Sequence, residues 1–182
     1  MHARSHTATA VAVSLEEMLA AREQRSARQS AALARFDKPL VSMTVVMPGP
    51  VKDGALPRRV LVAALQELEI MSKTRDWRVL SREVLWRQTG PEALYVVDVD
   101  ARSLKSGTVK LEDHHPIGRL WDLDVIGRQG RLSRLDLGLP ARRCLLCGQP
   151  AHACSRSRAH RLEELLSTIA KIVHGHDQRS AA

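Results

Sequence analysis

Between residues 40 and 126 the hydrophobic period changes in a fixed order, and that order limits the fold more than any other property of the chain. Leu40-Val41-Ser42-Met43-Thr44-Val45-Val46-Met47 is a β-rich run stopped by Pro48-Gly49-Pro50. A helical stripe follows, in which Val60, Leu61, Ala64, Leu65, Leu68 and Met71 share a face. Trp77 to Arg87 predicts a strand, Thr89-Gly90-Pro91 a turn and Leu94 to Val99 a second strand, together a hairpin. A weaker helix covers 101–113, with Leu104, Thr108 and Leu111 on it and Gly107 inside it, and Leu120 to Ile126 predicts a last strand.

The order β-α-β-β-α-β is that of a split βαβ unit. It predicts an α+β fold: a ferredoxin-like split βαβ sheet with an added N-terminal helix, a Cys-rich loop and a C-terminal helix. The added first helix runs from Ser14 to about Ala34, with Leu15, Met18 and Leu19 as its apolar stripe, Ser14 as N-cap and Glu17 in the capping-box position. The last helix carries Leu162, Leu165, Leu166, Ile169, Ile172 and Val173. With 182 residues the chain is expected to hold one catalytic domain, 14–175, between disordered tails at 1–13 and 176–182.

One Phe, one Tyr and three Trp leave an aliphatic core, and 28 Lys+Arg against 20 Asp+Glu give a formal charge of +8. That balance suits phosphates, nucleic acid or an acidic protein, or serves only to keep the surface soluble. All three cysteines fall between 144 and 154, too few and too close for a disulfide framework, so reduced thiols and a cytoplasmic setting are expected. No run has the length of a signal-peptide core or a membrane span, and no membrane partner is expected.

Chemistry concentrates in four places. Residues two apart in a strand point the same way, so Asp122 and Asp124 share one face while Trp121, Leu123 and Val125 share the other. Two carboxylates rooted about 6.6 Å apart repel by about 2.5 kcal/mol at an effective dielectric near 20, a repulsion that a divalent cation turns into attraction. Such pairs suit Mg²⁺ in phosphoryl and nucleotidyl transfer. The alternative is an exposed strand face bearing two ordinary acids, but Asp is a poor strand former and two in one short strand break local preference. His115 and Arg119 beside them supply a candidate base and a phosphate ligand. Asp98 and Asp100 also alternate, but Asp100 is well placed to cap the following helix, and this pair is left outside the site.

The stretch Pro48-Gly49-Pro50-Val51-Lys52-Asp53-Gly54 lies between a strand and a helix, where free amides favour anions and Lys52 adds a point charge. A rigid turn with Asp53 as helix cap explains the spacing equally well. On the first helix the apolar stripe continues into Arg22, Arg25 and Gln29, which is either a functional face or a solvated one. Finally, Cys144 and Cys147 have C-x2-C spacing, and Cys154 with His160 could complete a Cys3His zinc site, with His152 as a competing ligand. Otherwise these are buried thiols, and Arg142, Arg143, Arg156 and Arg158 around them are the operative residues. A structural role is preferred to a cysteine nucleophile, because Cys144 has no general base at a suitable spacing.

From about Ser14 to Val173 the chain resembles the citrate lyase holo-[acyl-carrier-protein] synthases, the phosphoribosyl-dephospho-CoA transferases. The motifs are the Arg-rich helix with Arg22, Arg25, Arg28 and Gln29; Gly49-Pro50-x-Lys52-Asp53; His115-Pro116-x-Gly118-Arg119-Leu120-x-Asp122-x-Asp124-Val125; Leu132-Ser133-Arg134-x-Asp136-x-Gly138-Leu139-Pro140; and Arg142-Arg143-Cys144-x-x-Cys147 through Cys154-x-Arg156. Ser155 stands where the family has alanine. The resemblance implies transfer of a phosphoribosyl-dephospho-CoA group from 2'-(5''-triphosphoribosyl)-3'-dephospho-CoA to a serine of the apo acyl carrier protein, the gamma subunit of citrate lyase, with release of pyrophosphate. It implies that Asp122 and Asp124 hold Mg²⁺, that Lys52, Arg25 and Arg119 neutralise the triphosphate, and that His115 or Asp53 takes the serine proton. The rival readings are a basic RNA-binding module and a zinc-stabilised scaffold without catalysis. RNA is disfavoured because the central strands offer only Trp121, on the face expected to be core.

Overall fold

The computed structural model describes residues 11–180. Helix α1 (Leu15–Phe36) precedes strand β1 (Leu40–Val45), helix α2 (Ala55–Thr74), the hairpin β2 (Arg78–Arg87) and β3 (Gly90–Asp98), helix α3 (Ala101–His114) and strand β4 (Trp121–Gly127). A short strand β5 (Gly130–Leu132), a helix α4 (Ala151–Ser157) and a long helix α5 (Leu162–Ser180) complete the chain. The five strands form one antiparallel sheet in the order β2-β3-β1-β4-β5, with five helices around it, an α+β architecture. Helix α5 continues to Ser180, past the boundary expected at 175. Of the tail expected at 1–13, only residues 11–13 fall among those described, and there the Val13 amide donates to the Pro50 carbonyl at 2.9 Å.

Local signals explain most boundaries. Ser14 Oγ accepts from the Glu17 amide and the Glu17 carboxylate accepts from the Ser14 amide, closing the capping box that starts α1. Strand β3 begins at Gly90, earlier than the expected Leu94, and takes in Pro91. It can do so because pairing with β1 starts only at Ala93, so the amide that Pro91 lacks has no partner to miss on that side. Gly107 is a packing glycine: a Cβ there would come within 2.7 Å of Met71 Sδ, so its absence lets α3 close on α2.

The core lies on one face of the sheet. Val41, Met43, Ala93, Tyr95, Val97, Trp121, Leu123 and Val125 meet the stripe of α2, Leu104 of α3, and Ile169 and Val173 of α5. Trp121 is fully buried, and its indole N–H donates to the Val60 carbonyl at 3.0 Å, tying β4 to α2. The opposite face carries Ser42, Thr44, Glu92, Asp122 and Asp124, and α1 crosses it. Strand β5 pairs with β4 only from Val125 onward, which leaves the main chain of Leu123 without a strand neighbour on that edge. Helix α3 covers the gap: Glu112 Oε1 accepts from the Leu123 amide at 3.0 Å and Lys105 Nζ donates to its carbonyl at 3.1 Å.

Candidate active site

The register of β4 on β1 sets Asp122 opposite Thr44 and Asp124 opposite Ser42, so both carboxylates rise from the polar face as the alternation required. Asp122 is half exposed and Asp124 is largely buried. Burial first, and the neighbouring Asp122 second, raise the proton affinity of Asp124, while Arg131, 3.1 Å away, and Lys105 pull it down. The repulsion inferred from spacing is therefore present in the fold. Arg142 Nη1 approaches Asp122 Oδ1 at 3.5 Å, and its Nη2 donates to the carbonyls of Arg119 at 3.0 Å and Trp121 at 2.8 Å. The carbonyl bonds pin the guanidinium at the start of β4, beside the acid.

Asp122 also lines a cavity of about 210 Å³ between α1, the end of β1, the loop before α2 and the β2–β3 turn. Arg22, Arg25, Thr44 and Lys52 share its wall. Lys52 Nζ donates to the Met47 carbonyl at 2.5 Å, and burial, then the charge of Arg22, lower its proton affinity. Among the described residues neither Arg22 nor Lys52 has a carboxylate at ion-pair distance. Arg25 differs: with Arg28 it is paired to Glu92, a carboxylate 4% exposed on β3. Gln29 Nε2 donates to Ser42 Oγ at 2.8 Å, fixing α1 over the same face. The cavity thus sets two uncompensated cations against one acid, an arrangement suited to an anion carrying more than one negative charge.

Other residues singled out from the sequence lie elsewhere. His115 stacks on Trp121 with ring centroids 4.4 Å apart, and its Nε2 lies 3.9 Å from Glu67, on the helical side of the sheet rather than beside Asp122. Burial lowers its proton affinity, against a smaller raising effect of Glu67. The backbone leaves α3 at this residue, and its side chain turns back onto the core tryptophan. Asp53 does not cap α2, whose N-cap is Gly54; both its oxygens are held by Arg58 at 2.7 and 2.6 Å, which keeps its carboxyl below the usual range. Arg119 donates to the Arg143 carbonyl and, with Arg143, lines a second cleft beyond Arg142.

In the cysteine segment, one ligand atom each from Cys144, Cys147, Cys154 and His160 lies within 4.8 Å of all the others. Cys147 Sγ is 3.5 Å from Cys154 Sγ, against an edge of about 3.8 Å for two 2.3 Å zinc–sulfur bonds at the tetrahedral angle, and 3.4 Å from His160 Nε2, against about 3.5 Å when one bond is the shorter zinc–nitrogen bond. Burial raises the pKa of Cys144, but hydrogen bonds from the Leu146 and Cys147 amides lead the opposing effects and bring it down to about 7. The three thiols are free, and the group could hold a metal ion. His152 is not part of it.

Several residues at this end of the sheet escaped the reading of motifs. Glu112, 3% exposed, bonds Leu123, pairs with Arg134 at 2.8 Å and lies 3.7 Å from Arg142. Lys105 and Glu92 are likewise buried charges, and Thr44 faces Asp122 at 3.5 Å. Glu112 and Lys105 fall on the weaker helix in positions where apolar residues would be expected to face inward, which is the only trace of their role in the sequence.

Comparison with known proteins agrees with the motifs. The family model of apo-citrate lyase phosphoribosyl-dephospho-CoA transferase matches residues 13–176. Curated proteins of that name are similar to the chain over 178 residues, 97% of each partner: 44% identical in Citrobacter koseri, 42% in Escherichia coli O7:K1 and 41% in Shigella boydii serotype 18. The match takes in the arginine helix, the acidic strand and the Cys–His segment together, and the chain belongs to the apo-citrate lyase phosphoribosyl-dephospho-CoA transferase family.

Proposed function

We propose that this enzyme transfers the phosphoribosyl-dephospho-CoA group from 2'-(5''-triphosphoribosyl)-3'-dephospho-CoA to a serine of the apo acyl carrier protein, the gamma subunit of citrate lyase, releasing pyrophosphate. The observation that carries this reading is the cavity in which Asp122 faces Arg22 and Lys52, neither of which has a carboxylate of its own. The serine oxygen forms a bond to the α-phosphorus, the bond from that phosphorus to the bridging oxygen breaks, and pyrophosphate leaves with the electron pair. Arg22 and Lys52 take up the charge of the leaving group, with Arg25 set at the cavity wall by Glu92. The serine proton passes to Asp122, the half-exposed member of the pair that lines the cavity. Neither His115 nor Asp53 is needed for this, the first being stacked on Trp121 and the second spent on Arg58.

Two carboxylates on one strand face, with a threonine hydroxyl beside them, are the hard oxygen donors that Mg²⁺ accepts together with substrate phosphates. When bound, Mg²⁺ supplies charge neutralisation at the phosphate oxygens. We assign a structural Zn²⁺ to Cys144, Cys147, Cys154 and His160, supported by their mutual distances. The order β2-β3-β1-β4, with α2 and α3 linking strands that flank another, supports a ferredoxin-like split βαβ core to which β5 and the other helices are additions. Free thiols suit the cytoplasm, and no described helix is long and apolar enough to cross a membrane.

The RNA-binding alternative lacks its platform, since Trp121 and Tyr95 are buried in the core face. Mass spectrometry of the carrier after incubation with enzyme, precursor and Mg²⁺ tests the function. Addition of the prosthetic group is expected with the wild type and with His115→Phe, while Asp122→Asn loses at least about a hundredfold in rate. Unchanged turnover of Asp122→Asn at saturating Mg²⁺ removes the acids from the mechanism, and an unmodified carrier with the wild type favours a noncatalytic scaffold.

A further inference from the structure

A second and larger cleft, of about 800 Å³, opens between the end of β1, the Cys–His segment and the start of α5. Val46, Pro48, Leu162 and Leu165 give it an aliphatic wall, His160 lines it as well, and among the described residues no Phe, Tyr or Trp does. Arg119, Arg143 and Arg158 also line it, and among the described residues none of them has a carboxylate at ion-pair distance. The segment after Thr44 separates the two hollows: Val45 and Met47 face the cavity of Arg22 and Lys52, whereas Val46 and Pro48 face the cleft. Arg142 joins them, since it lines the cleft and lies 3.5 Å from Asp122 of the cavity. Gly49 is needed at this divide, because its φ is +81° and a Cβ would come within 3.0 Å of Leu162.

We propose that the cleft takes the pantetheine-diphosphate limb of the dephospho-CoA substrate, Arg143 and Arg158 on the diphosphate and the leucines along the pantetheine chain, while the triphosphate stays in the cavity. This rests on the transferase reading above and adds how one substrate is divided across the fold. The limb is a dianion joined to a flexible, largely aliphatic amide chain, which matches uncompensated guanidiniums over aliphatic walls.

Calorimetry on the full chain with dephospho-CoA, AMP and inorganic tripolyphosphate tests the division. Arg143→Glu combined with Arg158→Asn removes the cations, asparagine being chosen because Arg158 has a φ of 50°. Leu165→Gln separately alters the apolar wall, with melting curves recorded for both variants. The expected result is that wild type binds dephospho-CoA at least tenfold tighter than AMP. Each variant should lose about tenfold or more for dephospho-CoA while binding tripolyphosphate as the wild type does. Equal affinity for AMP and dephospho-CoA in the wild type, which needs no variant to fold, overturns the proposal. So does dephospho-CoA affinity unmoved by the substitutions. If the wild type modifies the carrier but either of these holds, the subsite alone falls; if it neither modifies the carrier nor binds dephospho-CoA, the transferase reading falls with it.

Discussion

Asp124 shows at one residue how the site opposes the stability of the fold. It occupies a strand position that favours β-branched side chains, is mostly removed from water, and faces a second carboxylate two residues away. Its folded-state pKa lies above that of the unfolded chain, about 3.9. Between those values the folded protein binds more protons than the unfolded one, so stability falls as pH rises through that window and stays lowered at neutral pH. Asp124→Asn should therefore raise the melting temperature at pH 7, by a few degrees at most. The gain should vanish near pH 3, where the wild-type carboxyl is protonated as well. Calorimetric melts at the two pH values check this, and equal melting at pH 7 would mean that Arg131, whose side chain is itself 61% exposed, already cancels the repulsion.

At the scale of elements, the Cys–His segment has little hydrophobic support. Between Arg142 and His160 only Cys154 is buried, and regular structure there is limited to α4 and the bridge between Arg143 and Pro150. A metal tying four side chains would replace the missing core. The purified protein should hold about one zinc per chain, and stripping it should speed amide hydrogen exchange across 142–160 while the sheet stays protected. Uniform exchange in the stripped and loaded forms would leave the thiols as packing residues.

The same scale shows what a sequence can reveal. The capping box of Ser14 and Glu17 was legible because both partners lie within one helical turn, and the shared face of Asp122 and Asp124 because strand alternation is strictly local. Strand β5 was not foreseen: Gly130, Arg131 and Leu132 carry no strand preference, and they extend the sheet only because β4 offers them an edge. Nor was the clamp of Glu112 and Lys105 on Leu123, since it exists only once α3 has packed beside the uncovered part of that edge. His115 lies apart from the acids for a related reason. Its proximity to the acids along the chain says nothing of the sheet that comes between them, and the Trp121 ring decided its direction.

Over the whole molecule, the formal charge of +8 is not spread evenly with respect to the acids. Arg25, Arg28, Arg58 and Arg134 are tied into ion pairs, whereas Arg22 and Lys52 at the cavity, and Arg119, Arg143 and Arg158 at the cleft, are not paired within the described residues. Five cations without an ion-pair partner among the described residues thus line the two hollows that meet at Arg142. A field of that kind attracts both a polyphosphate and an acidic carrier surface, and it acts on the approach of the carrier more than on the step after docking. The Debye length shrinks from about 10 Å at 0.1 M salt to about 3 Å at 1 M. The kcat/KM for the carrier should accordingly fall severalfold between about 0.05 and 0.5 M salt, with kcat at saturating carrier changed far less. Steady-state kinetics with precursor held saturating at each salt concentration separate the two. A kcat/KM indifferent to salt would mean that the carrier docks on a face away from these arginines, and that their charge serves the precursor alone.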